Sequence, residues 1–398
     1  MIKISLPKGF KVSGMHSGMK KTKKDIGLIF SQSKCVAAGV FTQNKVKAAP
    51  VILTQQILKK NEGINAVIVN SANANCCTGK QGMIDAKKMV QITSDCLNVG
   101  MNNVCVCSTG IIGHKMDMEK IIAAIPQLVD TLSYKKEAVL DFARSILTTD
   151  KDVKIKTISV NICGKKVMII GVCKGAGMVH PKMATMLAYI LTDANIEQKA
   201  LTKVLKETNE VSFNAISVDG DMSTNDTVIL LANAQAGNEL IKTGTKEYDE
   251  FKSGLNVVLQ KLAQDIVEDG EGSTKIVTIT VKGTKTKKDA EKATRVIANS
   301  QLVKTSLYGQ DPNWGRIASS VGASMIAGLD PDKMEIILDG VTFYNGKRID
   351  VPAKKKAKVY KNKYVDIVVD VKAGKEEYSM FTCDLTKRYV EINAHYTT

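Results

Sequence analysis

Two short, almost wholly apolar runs, Val167–Val172 and Met186–Leu191, stand on either side of a glycine-rich break that begins Lys174-Gly175-Ala176-Gly177. Apolar runs of this length bounded by turn residues read as strands buried in a sheet, and the first reads as a central strand. Ile26–Phe30, Cys35–Phe41, Ile64–Val69 and Val104–Cys107 have the same character. The C-terminal part adds strand-like segments at 334–338, 341–344, 364–371, 378–383 and 389–392, with a turn at Asn345-Gly346. Helical spacing of apolar positions runs through 83–97, 121–129, 251–266 and 290–297. The third of these is the clearest and stops at Glu268-Asp269-Gly270. Strands and helices that mix without strict alternation predict an α+β or layered α/β protein rather than one doubly wound sheet.

Composition narrows the function classes. Only 7 prolines argue against long disordered linkers. No apolar run approaches a membrane span, and the first ten residues lack the apolar stretch of a secretory signal, so a cytoplasmic protein without membrane contact is expected. The 9 cysteines form no CxxC pair, and the 4 histidines form no HxH, HxxxH or HExxH pattern, so reduced, buried thiols and no metal site are expected. No GxSxG elbow is present to carry a serine nucleophile. The formal charge of +16 would attract anions, and a basic nucleic-acid-binding protein is the non-enzymatic alternative. With aromatics at 5%, the interleaving typical of nucleic-acid platforms is missing, and no specific nucleic-acid partner is expected. The two lysine clusters, Lys20 to Lys24 and Lys354 to Lys363, read as solvated loops.

The chemistry-bearing positions are weak one at a time. Thr185 is a polar residue between the glycine-rich break and an apolar strand, which taken alone reads as a strand start. Gly175-Ala176-Gly177 lacks the GxGxxG of a dinucleotide fingerprint, and Gly270 to Lys275 lacks P-loop spacing. What the latter offers is a carboxylate, Glu271, on a turn beyond the long helix. The strand at 104–107 runs through Ser108-Thr109-Gly110 toward a helix, a place where backbone N–H groups can face a ligand.

In order along the chain, however, Lys45 to Pro50, Asn70 to Asn75, Cys107 to Gly113, Thr148-Thr149-Asp150, Lys174 to Asp193, Ser217 to Asp226, Asp269 to Lys275, Asp311-Pro312-Asn313-Trp314-Gly315-Arg316 and Glu391 to Thr398 closely resemble the ornithine acetyltransferase (ArgJ) family of arginine biosynthesis. The resemblance covers essentially the whole chain. It implies a layered αββα-type sandwich and a precursor that cuts itself between Ala184 and Thr185, leaving an α chain, 1–184, and a β chain, 185–398. Thr185 would then be an N-terminal nucleophile whose own α-amine serves as base, which suits a chain poor in histidine.

Further expectations come from the same resemblance. Thr109 and Gly110 would form the oxyanion hole, and Thr148, Lys174, Thr185, Glu271, Asn393 and Thr398 would contact substrate. The implied reaction moves acetyl from N2-acetyl-L-ornithine to L-glutamate through an acetyl-Thr185 intermediate, with ping-pong kinetics, no cofactor and no metal. Some relatives also take acetyl-CoA as donor. A dimer of cleaved protomers is implied. Lys182 stands where asparagine is frequent in the family, and Ala176 where serine is usual, a lost hydroxyl that bears on the rate of self-cleavage. Within the same architecture, an N-terminal-nucleophile hydrolase or aminopeptidase is the competing activity.

Overall fold

The computed structural model describes residues 4–180 and 186–395. Its strands are β1 (Phe10–Met15), β2 (Ile26–Phe41), β3 (Ile64–Asn70), β4 (Val104–Ser108), β5 (Lys154–Ile162), β6 (Lys165–Lys174), β7 (Leu187–Thr192), β8 (Thr227–Ala232), β9 (Ile276–Thr284), β10 (Glu335–Leu338), β11 (Val341–Asn345), β12 (Tyr364–Asp370) and β13 (Glu376–Cys383). The helices are α1 (Ala49–Lys60), α2 (Gly79–Leu97), α3 (Met118–Asp130), α4 (Lys136–Ser145), α5 (Gln198–Glu210), α6 (Lys246–Glu268), α7 (Lys287–Asn299), α8 (Gln301–Tyr308), α9 (Trp314–Ala323), α10 (Ala353–Lys356) and α11 (Lys387–His395). This is the expected mixed α/β class, with a strand-rich C-terminal part.

The larger sheet runs β4-β3-β2-β8-β7-β6-β5, with β1 paired to β2 off that path. Besides β1, β2 serves two partners along that path: residues 26–30 and, after a register break, Cys35 pair with β3, and residues 36–41 pair with β8. Helices cover both faces. Phe142 of α4, Ile121 and Ile125 of α3 and Met89 of α2 pack with Tyr189 and Val172 on one side. Leu201 of α5 and Leu255 and Leu262 of α6 pack with Ile169 and Ile190 on the other. That two-sided burial is why β6 to β8 are continuous apolar runs rather than alternating ones. Contact between α6 and β6 is close: a Cβ on Gly171 would lie 2.5 Å from Leu262 Cδ1. A second sheet, β11-β10-β12-β9-β13, buries Val277, Ile279 and Ile367 with Ala290, Ile297 and Val303 of α7 and α8.

Several expectations need correction. β6 is penultimate in its sheet rather than central, because β5 hairpins back onto its outer edge. Residues 389–392 belong to helix α11, not to a strand; the Thr386 hydroxyl accepts the Tyr389 N–H at 3.4 Å, and so short an apolar run cannot distinguish the two. All nine cysteines are free thiols, but Cys77, Cys96 and Cys163 are exposed rather than buried. Lys20 is not a solvated-loop residue, as described below. No described helix is long and apolar enough to cross a membrane.

Candidate active site

A cavity of ≈ 200 Å³ opens where β4 and β6 end and where the segment leading into β8 begins. Thr109, Gly110, Thr148, Lys174, Glu271 and Asn393, dispersed along the sequence, all line it. Ala184, Thr185 and Thr398 lie outside the described residues. Met186, which follows Thr185, leads directly into β7.

One wall is a turn zipped onto its neighbour. β3 and β4 are parallel partners, and beyond their ends Asn70 O accepts the Thr109 N–H at 3.0 Å and Ala72 O accepts the Ile111 N–H at 3.1 Å. Ser108 Oγ donates to Asn70 Oδ1 at 2.5 Å. Gly110 sits at φ +134°, and a Cβ there would be 2.2 Å from the Ala72 carbonyl carbon. Backbone, not a flexible side chain, blocks that position. Gly110→Ala is therefore expected to cost at least roughly 1–3 kcal/mol, read as a lower urea midpoint, and to displace the Thr109–Gly110 turn.

The opposite wall is a buried charge cluster. Lys174, 2% exposed at the end of β6, donates to Thr148 Oγ1 at 3.2 Å. Burial pushes its ammonium pKa down, against the pull of Asp150 and Asp226. Asp150 accepts the Lys154 ammonium at 2.7 Å, the Gly175 N–H at 2.6 Å and the Thr148 N–H at 3.1 Å. Burial would raise its carboxyl, but the Lys154 and Lys174 charges with these hydrogen bonds bring it down to about 2. Lys154 also bridges to Asp269 at 2.5 Å, at the end of α6. That wall thus holds a cation, Lys174, turned toward a hydroxyl, which suits a carboxylate ligand.

Glu271 supplies the opposing charge. Its N–H donates to Ala176 O at 2.9 Å, and its carboxylate would lie about 2.5 Å from a Cβ on Gly177, so the glycine-rich segment lets backbone and carboxylate meet. Asn393 Nδ2 of α11 donates to Glu271 Oε2 at 2.8 Å. The helix is tied down from below: Thr386 Oγ1 donates to Gly272 O at 2.8 Å and Tyr389 Oη to Asp219 Oδ2 at 3.3 Å. Asp219 in turn accepts the Met178 and Val179 N–H groups at 2.6 and 2.8 Å, fixing the far side of the glycine-rich segment.

Nothing in the sequence singles out Lys20, Asp219, Asn225 or Tyr389, yet all four hold the site together. Lys20 Nζ is inserted between Ser71 Oγ (2.5 Å) and Leu147 O (2.6 Å), joining the turn beside Gly110 to the loop that carries Thr148, and burial brings its ammonium down to about 8. Among the described residues no group of three or more His, Cys, Asp or Glu is placed to hold a metal ion.

Comparison with known proteins gives a consistent picture. A family model described as ArgJ family matches residues 11–398. A protein of Thermotoga neapolitana named arginine biosynthesis bifunctional protein ArgJ is 45% identical over 399 residues, covering 99% of this chain and 100% of its own length. Its namesake from Caldanaerobacter subterraneus is 45% identical over 401 residues, covering 100% and 98%. A crystal structure of the protein of the same name from Bacillus halodurans matches with 37% identity and a TM-score of 0.44, over 46% of this chain and 94% of that one.

Proposed function

The chain belongs to the ArgJ family, and on that premise we propose that the cavity transfers acetyl from N2-acetyl-L-ornithine to L-glutamate, the reaction of a glutamate N-acetyltransferase in arginine biosynthesis. What carries the reading is the meeting of Thr109, Gly110, Thr148, Lys174, Glu271 and Asn393 in one cavity next to the strand that Met186 leads into. Lys174 takes the substrate α-carboxylate and Glu271 the ornithine side-chain ammonium, both charge-assisted contacts. Thr398 is a further substrate contact in this reading.

The precursor is cut between Ala184 and Thr185, and the two parts, 1–184 and 185–398, stay together. The freed α-amine of Thr185, with an unperturbed pKa of roughly 7.7–8.0, takes the hydroxyl proton as Oγ attacks the acetyl carbonyl carbon. Negative charge develops on the carbonyl oxygen, where the Thr109 hydroxyl and Gly110 N–H donate. The carbon–nitrogen bond to ornithine breaks, and the proton passes to its departing amine. Glutamate then attacks the acetyl ester with its own amine, and Oγ recovers a proton. Neither half-reaction calls on a metal or a cofactor, and acetyl-CoA would enter only as a second donor. Two cleaved protomers assembling in the cytoplasm complete the reading.

Incubation with N2-acetyl-L-ornithine in the absence of glutamate should add one acetyl mass to the 185–398 fragment, and glutamate should discharge it. Transfer seen only when both substrates are present, with no acetylated fragment, would overturn the double displacement. Removing residues 387–398 should cut turnover by about 10–100-fold or more, the scale of a lost hydrogen bond to a charged group. The melting temperature should hardly move, because α11 has no buried residue among those described.

A further inference from the structure

We infer that Asn225 and Asp226 are positioning residues that jointly fix the separation between the nucleophile and the oxyanion donors. The inference rests on the acyl-transfer reading above and adds to it the device that sets its critical distance.

Asn225 is 5% exposed and uses both amide hydrogens on the oxyanion turn. Its Nδ2 donates to Ser108 O at 2.8 Å, the carbonyl immediately before Thr109, and to Ala74 O at 2.7 Å. Ala74 is itself bonded through its N–H to Ile111 O, so both strands of the turn are held. The Thr224 hydroxyl donates to Asn225 Oδ1 at 2.7 Å and orients the amide. The next residue, fully buried Asp226, turns the other way, and its Oδ1 accepts the Met186 N–H at 3.0 Å. Met186 is the residue that follows Thr185 in sequence, so Asp226 holds the chain immediately after it. Thr227 N–H closes the grip on Met186 O at 3.1 Å.

The two grips belong to neighbouring residues, whose Cα atoms are about 3.8 Å apart across a trans peptide. One planar unit therefore joins the two grips, and only two buried side chains, the Asn225 amide and the Asp226 carboxylate, link the start of β7 to the turn of the oxyanion donors. Acyl transfer depends steeply on that separation, since a misplacement of about 1 Å can cost on the order of 10²-fold in rate. Lys174, Thr148 and Glu271 stand on other elements, and none of the hydrogen bonds just described reaches them, while the Asp226 charge is felt at Lys174. Burial pushes the Asp226 carboxyl well above the usual range. Asparagine, neutral and nearly isosteric with an acceptor oxygen retained, is accordingly its conservative replacement.

The test is the single-turnover rate of acetyl loading onto the 185–398 fragment as a function of N2-acetyl-L-ornithine, followed by mass in the unmutated protein, Asn225→Ala, Asp226→Ala and Asp226→Asn. A rate constant does not depend on the folded fraction, so partial misfolding cannot imitate the effect. The maximal rate constant should fall by about 10²-fold in both alanine variants while the half-saturating concentration stays within about 3-fold, with Asp226→Asn restored close to the unmutated rate. Slowed self-cleavage in both alanine variants but not in Asp226→Asn would be the same loss read one step earlier. Unimpaired loading in Asn225→Ala, a weakening of half-saturation equal to the loss of rate, or an Asp226→Asn as slow as Asp226→Ala would overturn the inference. If the unmutated protein never takes up acetyl, the acyl-transfer reading falls first and takes this inference with it.

Discussion

Replacing Thr185 with alanine is expected to leave one uncut chain of 43.1 kDa and to lower acetyl transfer by about 10⁴–10⁶-fold, the range seen when a covalent nucleophile is removed. Both losses trace to one hydroxyl. Without Oγ there is nothing to attack the Ala184 carbonyl, so the peptide bond persists, no α-amine is freed and no acetyl ester can form. Thr185→Ser should keep a hydroxyl and with it both cleavage and measurable turnover. Intact mass of the denatured proteins, beside an assay for acetylglutamate, reads both effects. A Thr185→Ala protein that still splits into two fragments, or that still turns over, would remove this residue from the centre of the chemistry.

The second large effect is on stability. Asp150→Ala is expected to cost about 3–5 kcal/mol, because it leaves buried lysine charge without its partner. Lys174 would lose the counter-charge that pulls on it most strongly, and Lys154 would keep Asp269. The Gly175 and Thr148 N–H groups would lose their acceptor as well. Asp150→Asn should cost less, since it retains an acceptor oxygen. The same carboxyl predicts an acid limb. Its folded pKa, about 2, lies below an unfolded value of roughly 3.9, so its contribution is fully present above that unfolded value and is lost as the pH falls through the folded one. Urea midpoints measured from pH 7 down to pH 2 should fall over that acid window in the unmutated protein and be flatter there in Asp150→Ala. Equal slopes in both would assign the acid limb to other groups.

How much of this was legible beforehand depends on whether a signal is local or spatial. Strands buried on both faces, such as Val167–Val172, and the long helix through Phe251 and Ile266 declare themselves through apolar runs and periodicity. The site residues do not. Thr109, Lys174 and Glu271 are singled out only because ordered motifs resemble a family, and no spacing among them demands catalysis. Lys20 shows why local reading fails: within a run of lysines nothing marks the one whose ammonium turns inward to Ser71 and Leu147. Asn225 lay in a matching stretch with no role attached, since its amide reaches Ser108 across 117 positions of sequence. Tyr389 was misplaced on a strand because four residues cannot show a period, and helix α11 is set by the cap at Thr386 and by docking on the 270–275 loop.

The strand order of the large sheet bears on what becomes of the enzyme under heat. β7 and β8 come from beyond residue 185, yet they sit between β2 and β6, which come from before it. Neither side of residue 185 can complete that sheet alone, so under the proposed cleavage the chain would have to fold as one polymer before it is divided. Division would then delete the covalent link that made folding a first-order event. Reassembly after denaturation would become an encounter between two molecules, dependent on concentration and in competition with the sticking together of bared strand edges. The endurance of a divided enzyme would accordingly be a lifetime set by the height of its unfolding barrier rather than an equilibrium to which it can return.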